Sequence, residues 1–191
     1  MIKLEPNRYY HIYNRGNNRE KLFYTEANYG YFLTKFRQHC LHVLETYAYC
    51  LMGNHFHFLV SIRSEKEQQA LFEGRSLNTR KLRSPSKHIA HFFSSYTQSI
   101  NKQEGRVGSL FQKNFKRKEI DSEDYFRQTI VYIHLNPLKH GFSDDIKAYP
   151  YSSYPVYLNS EETFLNREKT LDLFGGIKNF NVAHKNGIAL L

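Results

Sequence analysis

The run Tyr9–Arg15, YYHIYNR, is β-prone and is closed by the turn-forming Gly16-Asn17-Asn18, so it predicts a first strand. Thr25 is placed to cap a helix, and Tyr29, Phe32, Leu33, Phe36, Cys40, Val43 and Leu44 follow at the 3.6-residue period. That spacing predicts an amphipathic helix of about five turns. Residues 46–52 and His55–Ile62 are β-prone runs joined by Gly53-Asn54, the composition of a tight hairpin. Residues 63–84 are polar and charged with little periodicity, which predicts an irregular loop. Pro85 suits a helix start, and Ile89, Phe92, Phe93, Tyr96 and Ile100 form the apolar stripe of that helix, which Gly105 and Gly108 end. Residues 110–120 read as a strand carrying basic residues. The acidic run Asp121-Ser122-Glu123-Asp124 suits the positive end of a helix dipole. The helix that follows has Phe126, Ile130 and Ile133 on its core stripe and is expected to stop near Asn136, because Pro137 disfavours continuation.

The predicted order is β-α-β-β-α-β-α, an α+β chain of the ferredoxin-like or RRM-like type. It implies an antiparallel sheet with helices on one face and the other face available to a ligand. Residues 1–137 make up this domain, with the basic loop at about 63–84, and 138–191 form a C-terminal extension packed on it. Within the extension, 149–155 reads as an extended segment and Phe174-Gly175-Gly176 as a turn in a helical tail.

Charge changes the picture. The 191-residue chain has 27 Lys and Arg against 18 Asp and Glu, a formal net charge of +9 that points to an anionic partner. The whole excess falls between residues 63 and 118; the rest of the chain sums to zero. The mean hydropathy of -0.64, the lack of a membrane-length apolar run and the lack of an apolar leader indicate a cytoplasmic protein. Two cysteines, Cys40 and Cys50, support neither a disulfide framework nor a cysteine zinc site.

His55 and His57 project from one face of their strand while Phe56 and Phe58 project from the other. Two imidazoles so placed can share a metal, or can be polar residues on an exposed face. On the last helix, Tyr132 and Asn136 lie one turn and about 40° apart, so a phenol and an amide are presented together. The bland alternative makes Tyr132 an aromatic at the core edge and Asn136 a helix-ending residue. His134 is about 160° from Asn136 around the axis and is expected at the surface. Tyr125 lies seven residues before Tyr132 on nearly the same face, as helix packing or a DNA contact, and His11 on the first strand is expected to pack, with facing the site as the alternative.

Taken in order, Tyr10-His11-Ile12 to Arg15-Gly16-Asn17, Leu51-Met52-Gly53-Asn54-His55-Phe56-His57, Leu110-Phe111-Gln112, Tyr132-Ile133-His134-Leu135-Asn136-Pro137 and Ser152-Ser153-Tyr154 resemble the one-tyrosine HUH transposases. More narrowly, they resemble the REP-associated tyrosine transposase branch of that family. Gly53 departs from the proline that the family commonly has there. The resemblance covers about residues 9–155.

The resemblance implies a single-strand DNA endonuclease and transposase. Tyr132 would be the nucleophile, His55 and His57 metal ligands, and Asn136 the third ligand for Mg²⁺ or Mn²⁺, with two nitrogen donors favouring Mn²⁺. Attack would leave a 5′-phosphotyrosine and a 3′-OH that can rejoin the strand, with no nucleotide cofactor. A phenolate leaves more readily than a sugar alkoxide, so the step is reversible. Candidate DNA contacts are Arg15, Asn17 and Asn18 after the first strand, and Lys113, Lys116, Arg117 and Lys118 on or near the fourth. Phe111, Phe115 and nearby tyrosines would stack on unpaired bases, the alternative being strand aromatics in the core with the lysines in solvent. The implied partner is single-stranded or hairpin DNA of the repetitive-palindrome type, with the protein acting as a monomer in cis; a homodimer is the alternative. The competing function is a non-catalytic RRM-like nucleic-acid-binding module, which the absence of an RNP1 pattern disfavours.

Overall fold

The period-2 alternation along β3 (His55–Ile62) sorts the molecule into two sides. In the computed structural model, which describes residues 2–74 and 82–189, β3 pairs antiparallel with both β1 (Tyr9–Arg15) and β2 (Leu44–Met52). β4 (Lys116–Ile120) pairs antiparallel with β1, which gives the order β2-β3-β1-β4 of a ferredoxin-like split βαβ sheet. The crossover helices α1 (Glu26–Cys40) and α3 (Pro85–Glu104) cover the side to which Phe56 and Phe58 point. There Phe36 stacks on Phe58 at 4.3 Å and Phe32 meets Phe92 edge-on at 4.7 Å. Thr25 and Asn28 form the capping box that starts α1, and Ser84 with Pro85 starts α3.

Helix α4 (Glu123–Lys139) is laid across the second face, where Phe126 packs against Tyr9 at 5.3 Å and Tyr47 at 5.1 Å. It covers the β2 and β3 half and leaves Tyr13, Arg15, Lys116 and Lys118 exposed. The helix runs past Pro137, three residues beyond the expected stop. Proline forfeits only one hydrogen bond in a last turn. The true stop is Gly141, at φ +67°, where the Phe142 N–H bonds the Pro137 carbonyl and the Gly141 N–H bonds that of Leu138. This Schellman closure fixes where His140 and Phe142 stand.

Two other expectations fail locally. The segment 63–84, expected as a loop, contains α2 (Glu65–Glu73), started by a Ser64–Glu67 capping box. Arg75, Arg80 and Lys81 of that basic stretch lie outside the described residues. The strand expected over 110–120 is confined to Lys116–Ile120: Phe111 makes an isolated bridge to Gly16, and Asn114 at φ +65° breaks the run between them.

The chain after α4 returns to the outer edge of β2. The Leu51 N–H bonds the Tyr151 carbonyl and the Ser153 N–H bonds that of Tyr49, both at 2.9 Å, so 151–153 acts as a short added strand. Then follow α5 (Tyr154–Tyr157), α6 (Arg167–Phe174) and α7 (Ile177–Ile188), with the turn at Gly175-Gly176 and α7 packed on α4. No helix among the described residues is long and apolar enough to cross a membrane.

A buried polar chain joins these parts. The Tyr49 N–H donates to Ser153 Oγ, which lies 2.7 Å from His134 Nε2. His134 Nδ1 lies 2.8 Å from His184 Nε2, and His184 donates from Nδ1 to the Phe180 carbonyl. The carbonyl at the far end fixes the tautomers: His184 must offer Nε2 as acceptor, so His134 donates from Nδ1 and accepts from Ser153. His134, expected at the surface, is fully buried because α7 and residues 151–157 cover that side of α4.

Two measurements check this account. A Cβ at Gly16 would stand 2.1 Å from the Glu20 carbonyl oxygen, a backbone atom that cannot swing aside. Gly16→Ala is therefore expected to cost about 1–3 kcal/mol in denaturant unfolding. Burial pushes His184 down to about 4, so the unfolded state takes up a proton below about pH 6.5 that the folded state refuses until about pH 4. Its stabilising contribution is complete above pH 6.5 and declines as pH falls, by about 3 kcal/mol at pH 4; unfolding free energies followed from pH 7 to 4 should show this decline.

Candidate active site

Each histidine of the His55/His57 pair has one ring nitrogen already engaged. His55 donates from Nδ1 to Asn54 Oδ1 at 2.7 Å, which leaves Nε2 as its lone-pair nitrogen. His57 Nδ1 lies 2.8 Å from His11 Nε2, across the β1–β3 ladder. Burial pushes His55 down to about 4, with help from the positive potential of His140 and Arg15. Burial also holds His57 well below its usual value, with His11 and His55 adding to the effect. Both rings are thus neutral near pH 7, the form that binds a metal. His11, for which the sequence favours packing and leaves facing the site as the alternative, faces the site. Its role rests on a register between strands 46 residues apart, which no local spacing displays.

Helix α4 brings Tyr132 to this pair. Its ring meets His57 edge-on at 5.8 Å and His11 at 5.9 Å, and it is 42% exposed. Lys139 Nζ lies 5.7 Å from the Tyr132 ring centroid. One turn on, Asn136 is fully buried and donates from Nδ2 to the Tyr132 carbonyl at 2.7 Å. That carbonyl accepts only a donor, so the amide orientation is fixed and Oδ1 is the atom left over. Asn136 Oδ1 is buried with no hydrogen-bond partner, the mark of an acceptor built for something else. Two neutral imidazoles and an orphaned amide oxygen fit a divalent cation, although among the described residues no three His, Cys, Asp or Glu side chains are grouped to hold one. His140, one turn beyond Asn136, meets His55 edge-on at 5.3 Å.

Two clefts meet here. One, of about 620 Å³, is lined by residues including Arg15, His55, Lys116, His140 and Phe142. The other, of about 430 Å³, has Tyr132, His11, Lys118 and Tyr125 in its wall. Tyr13 and His57 line both. Tyr125 thus shares the cleft of Tyr132, with Lys118 Nζ 4.6 Å from its ring centroid.

The basic and amide residues singled out from the sequence fall on different sides. Lys116 and Lys118 pair with Tyr13 and His11 and share the histidine face with Arg15. Arg117 alternates to the other face, where its guanidinium lies 4.1 Å from the Phe115 ring centroid and donates to Ser86. Lys113, Arg117 and Asn17 line a separate groove between α3 and β4, and Asn17 donates to the Ser109 carbonyl. Asn18 is exposed in a left-handed turn and lines none of these clefts. His140, Phe142 and Asn54 were missed from the sequence. Gly141 was the available signal for the first two, since a glycine after a helix marks its end.

No protein-family model matches the chain. A putative REP-associated tyrosine transposase of Haemophilus influenzae is 28% identical over 124 residues, 64% of this chain and 66% of that protein. The match thus spans just under two thirds of that relative's length. A solved structure of a REP-associated tyrosine transposase bound to a REP hairpin superposes with a TM-score of 0.60, covering 83% of this chain and 82% of that one at 16% identity. The structural likeness is one of fold, and the sequence likeness is a resemblance to a REP-associated tyrosine transposase over part of both chains.

Proposed function

We propose that this chain is a metal-dependent single-strand DNA endonuclease of the transposase type, acting on hairpin DNA like that named for its structural neighbour. The observation that carries the reading is the edge-on approach of Tyr132 to His57 within one chain, beside a second neutral histidine. His55, His57 and Asn136 Oδ1 would hold Mg²⁺ or Mn²⁺, and the cation would neutralise charge developing on the phosphate oxygens.

The rest falls to side chains. Tyr132 Oη attacks phosphorus; the Oη–P bond forms as the P–O3′ bond breaks, the phenol proton goes to solvent and the departing oxygen takes one up as 3′-OH. Attack by that 3′-OH reverses the step, because a phenolate leaves more readily than an alkoxide. His11 and Asn54 orient the two imidazoles. Arg15, Lys116 and Lys118, exposed on the same face, meet the phosphate backbone, while Lys113, Arg117, Asn17 and Asn18 would contact DNA outside the histidine face. Tyr132 reaches the histidines of its own chain, which supports a monomer acting in cis.

Denaturing gels test the reading. The wild-type protein, incubated with labelled hairpins from the DNA flanking its gene and Mn²⁺, should give a covalent adduct that Tyr132→Phe reduces at least about a thousandfold. Cleavage that survives this change would assign the nucleophile to water or Tyr125, and binding without cleavage of any hairpin would favour the RRM-like module. Metal dependence gives a second check. His57→Ala should weaken Mn²⁺ binding in calorimetry and slow adduct formation at limiting metal, and His11→Phe should raise the Mn²⁺ needed for half-maximal rate by about 10–100-fold. Wild-type behaviour of His57→Ala would refute the ligand set.

A further inference from the structure

Two clefts meet at His57, one carrying Tyr132 in its wall and the other His55. Only Tyr13 and His57 belong to both. In displacement at phosphorus the attacking and departing oxygens stand roughly in line, on opposite sides. An attack by Tyr132 from the cleft it shares with His11 and Tyr125, across His57, would send the departing oxygen toward the His55 cleft. Formation of a 5′-phosphotyrosine breaks the P–O3′ bond, so that oxygen belongs to the nucleotide on the 5′ side of the cut.

We propose that the cleft lined by His55, Arg15, Lys116 and Phe142 is the leaving-strand subsite: it binds the nucleotide 5′ of the cut and keeps its 3′-OH in place for rejoining. This rests on the tyrosine-nuclease reading above. The lining has the chemistry a nucleotide needs. Phe142 is 46% exposed and offers an aromatic face for a base, while Arg15 and Lys116, exposed on adjacent strands, offer cations for phosphate. The Phe142 backbone is held beside the cleft by the closure of α4 at Gly141. At about 620 Å³ the cleft lies within the range of small-ligand sites. The Tyr132 cleft is smaller, about 430 Å³, and its Lys118 already lies over the Tyr125 ring. On cleavage the phenol proton passes to water and the 3′-oxygen takes one up; rejoining restores both, and the strand that must attack has never left its cleft.

The test compares wild type with Phe142→Ala on three versions of one cleavable hairpin oligonucleotide: intact, abasic immediately 5′ of the cut, and abasic immediately 3′ of it. Phe142→Ala is expected to slow adduct formation on the intact strand about tenfold, a factor equal to about 1.4 kcal/mol and within the range for base–aromatic stacking. The 5′ abasic strand should slow wild type by the same factor, the two changes together should be no worse than either, and the 3′ abasic penalty should multiply with that of Phe142→Ala. A wild-type rate for Phe142→Ala on the intact strand, or a deficit that vanishes on the 3′ rather than the 5′ abasic strand, overturns the assignment. A second arm does not depend on Phe142. The preformed adduct of Lys116→Gln, an exposed site, should need several-fold more of an added 3′-OH strand for half-maximal rejoining than the wild-type adduct, and equal requirements would count against the subsite. Absence of any adduct with wild type sinks the transposase reading itself, whereas a normal adduct with independent, multiplying penalties sinks only the subsite.

Discussion

The buried hydrogen-bond chain from the Tyr49 N–H through Ser153, His134 and His184 to the Phe180 carbonyl decides where α4 sits, and α4 delivers half of the chemistry. Its members come from β2, the added strand, α4 and α7, so it ties four parts of the chain at one point. Apolar packing of Phe126, Ile130 and Ile133 presses α4 onto the sheet but tolerates small slides and rotations. A chain of directed hydrogen bonds does not, because a shift leaves a buried donor or acceptor unpaired, at about 1–3 kcal/mol each. Tyr132 and Asn136 flank His134 on the same helix, so the register that satisfies the chain also sets the phenol against His57.

The histidine face is built on a similar economy. Each ring that would serve a metal has its second nitrogen occupied by a neighbour, Asn54 or His11, and burial keeps both rings uncharged. The desolvation that makes these imidazoles costly to protonate also leaves their lone pairs ready. Asn136 follows the same logic with an amide: one end is satisfied within the helix and the other is left open.

Much of this was legible in the sequence where the signal is local. The β1 strand, the β2–β3 hairpin, the starts of α1 and α3 and the pairing of His55 with His57 on one face all follow from periods of 2 and 3.6 and from capping residues. The Ser64–Glu67 capping box is equally local, but the polar residues around it carry no helical period to accompany it. Gly141 was the better stop signal for α4 than Pro137. The burial of His134 and the approach of His11 could not be read this way, since their partners lie 19, 50 and 46 residues away and meet only when the sheet and the tail assemble. The residues singled out for DNA contact show both cases: alternation along β4 already separates Arg117 from Lys116 and Lys118, but the groove that receives Arg117 depends on α3.

The strand added by residues 151–153 bears on the order of folding. Until it arrives, the outer edge of β2 has unpaired backbone groups, and Ser153, 104 residues from Tyr49, is absent from the seat of His134. Contacts so far apart in sequence close late. During synthesis β3 and α4 therefore emerge before the segment that fixes their mutual position, and a chain cut short of it would carry His55, His57 and Tyr132 without the contacts that hold them together. Assembly of the face that holds Tyr132 against His57 thus waits on a segment that follows both of them in the chain.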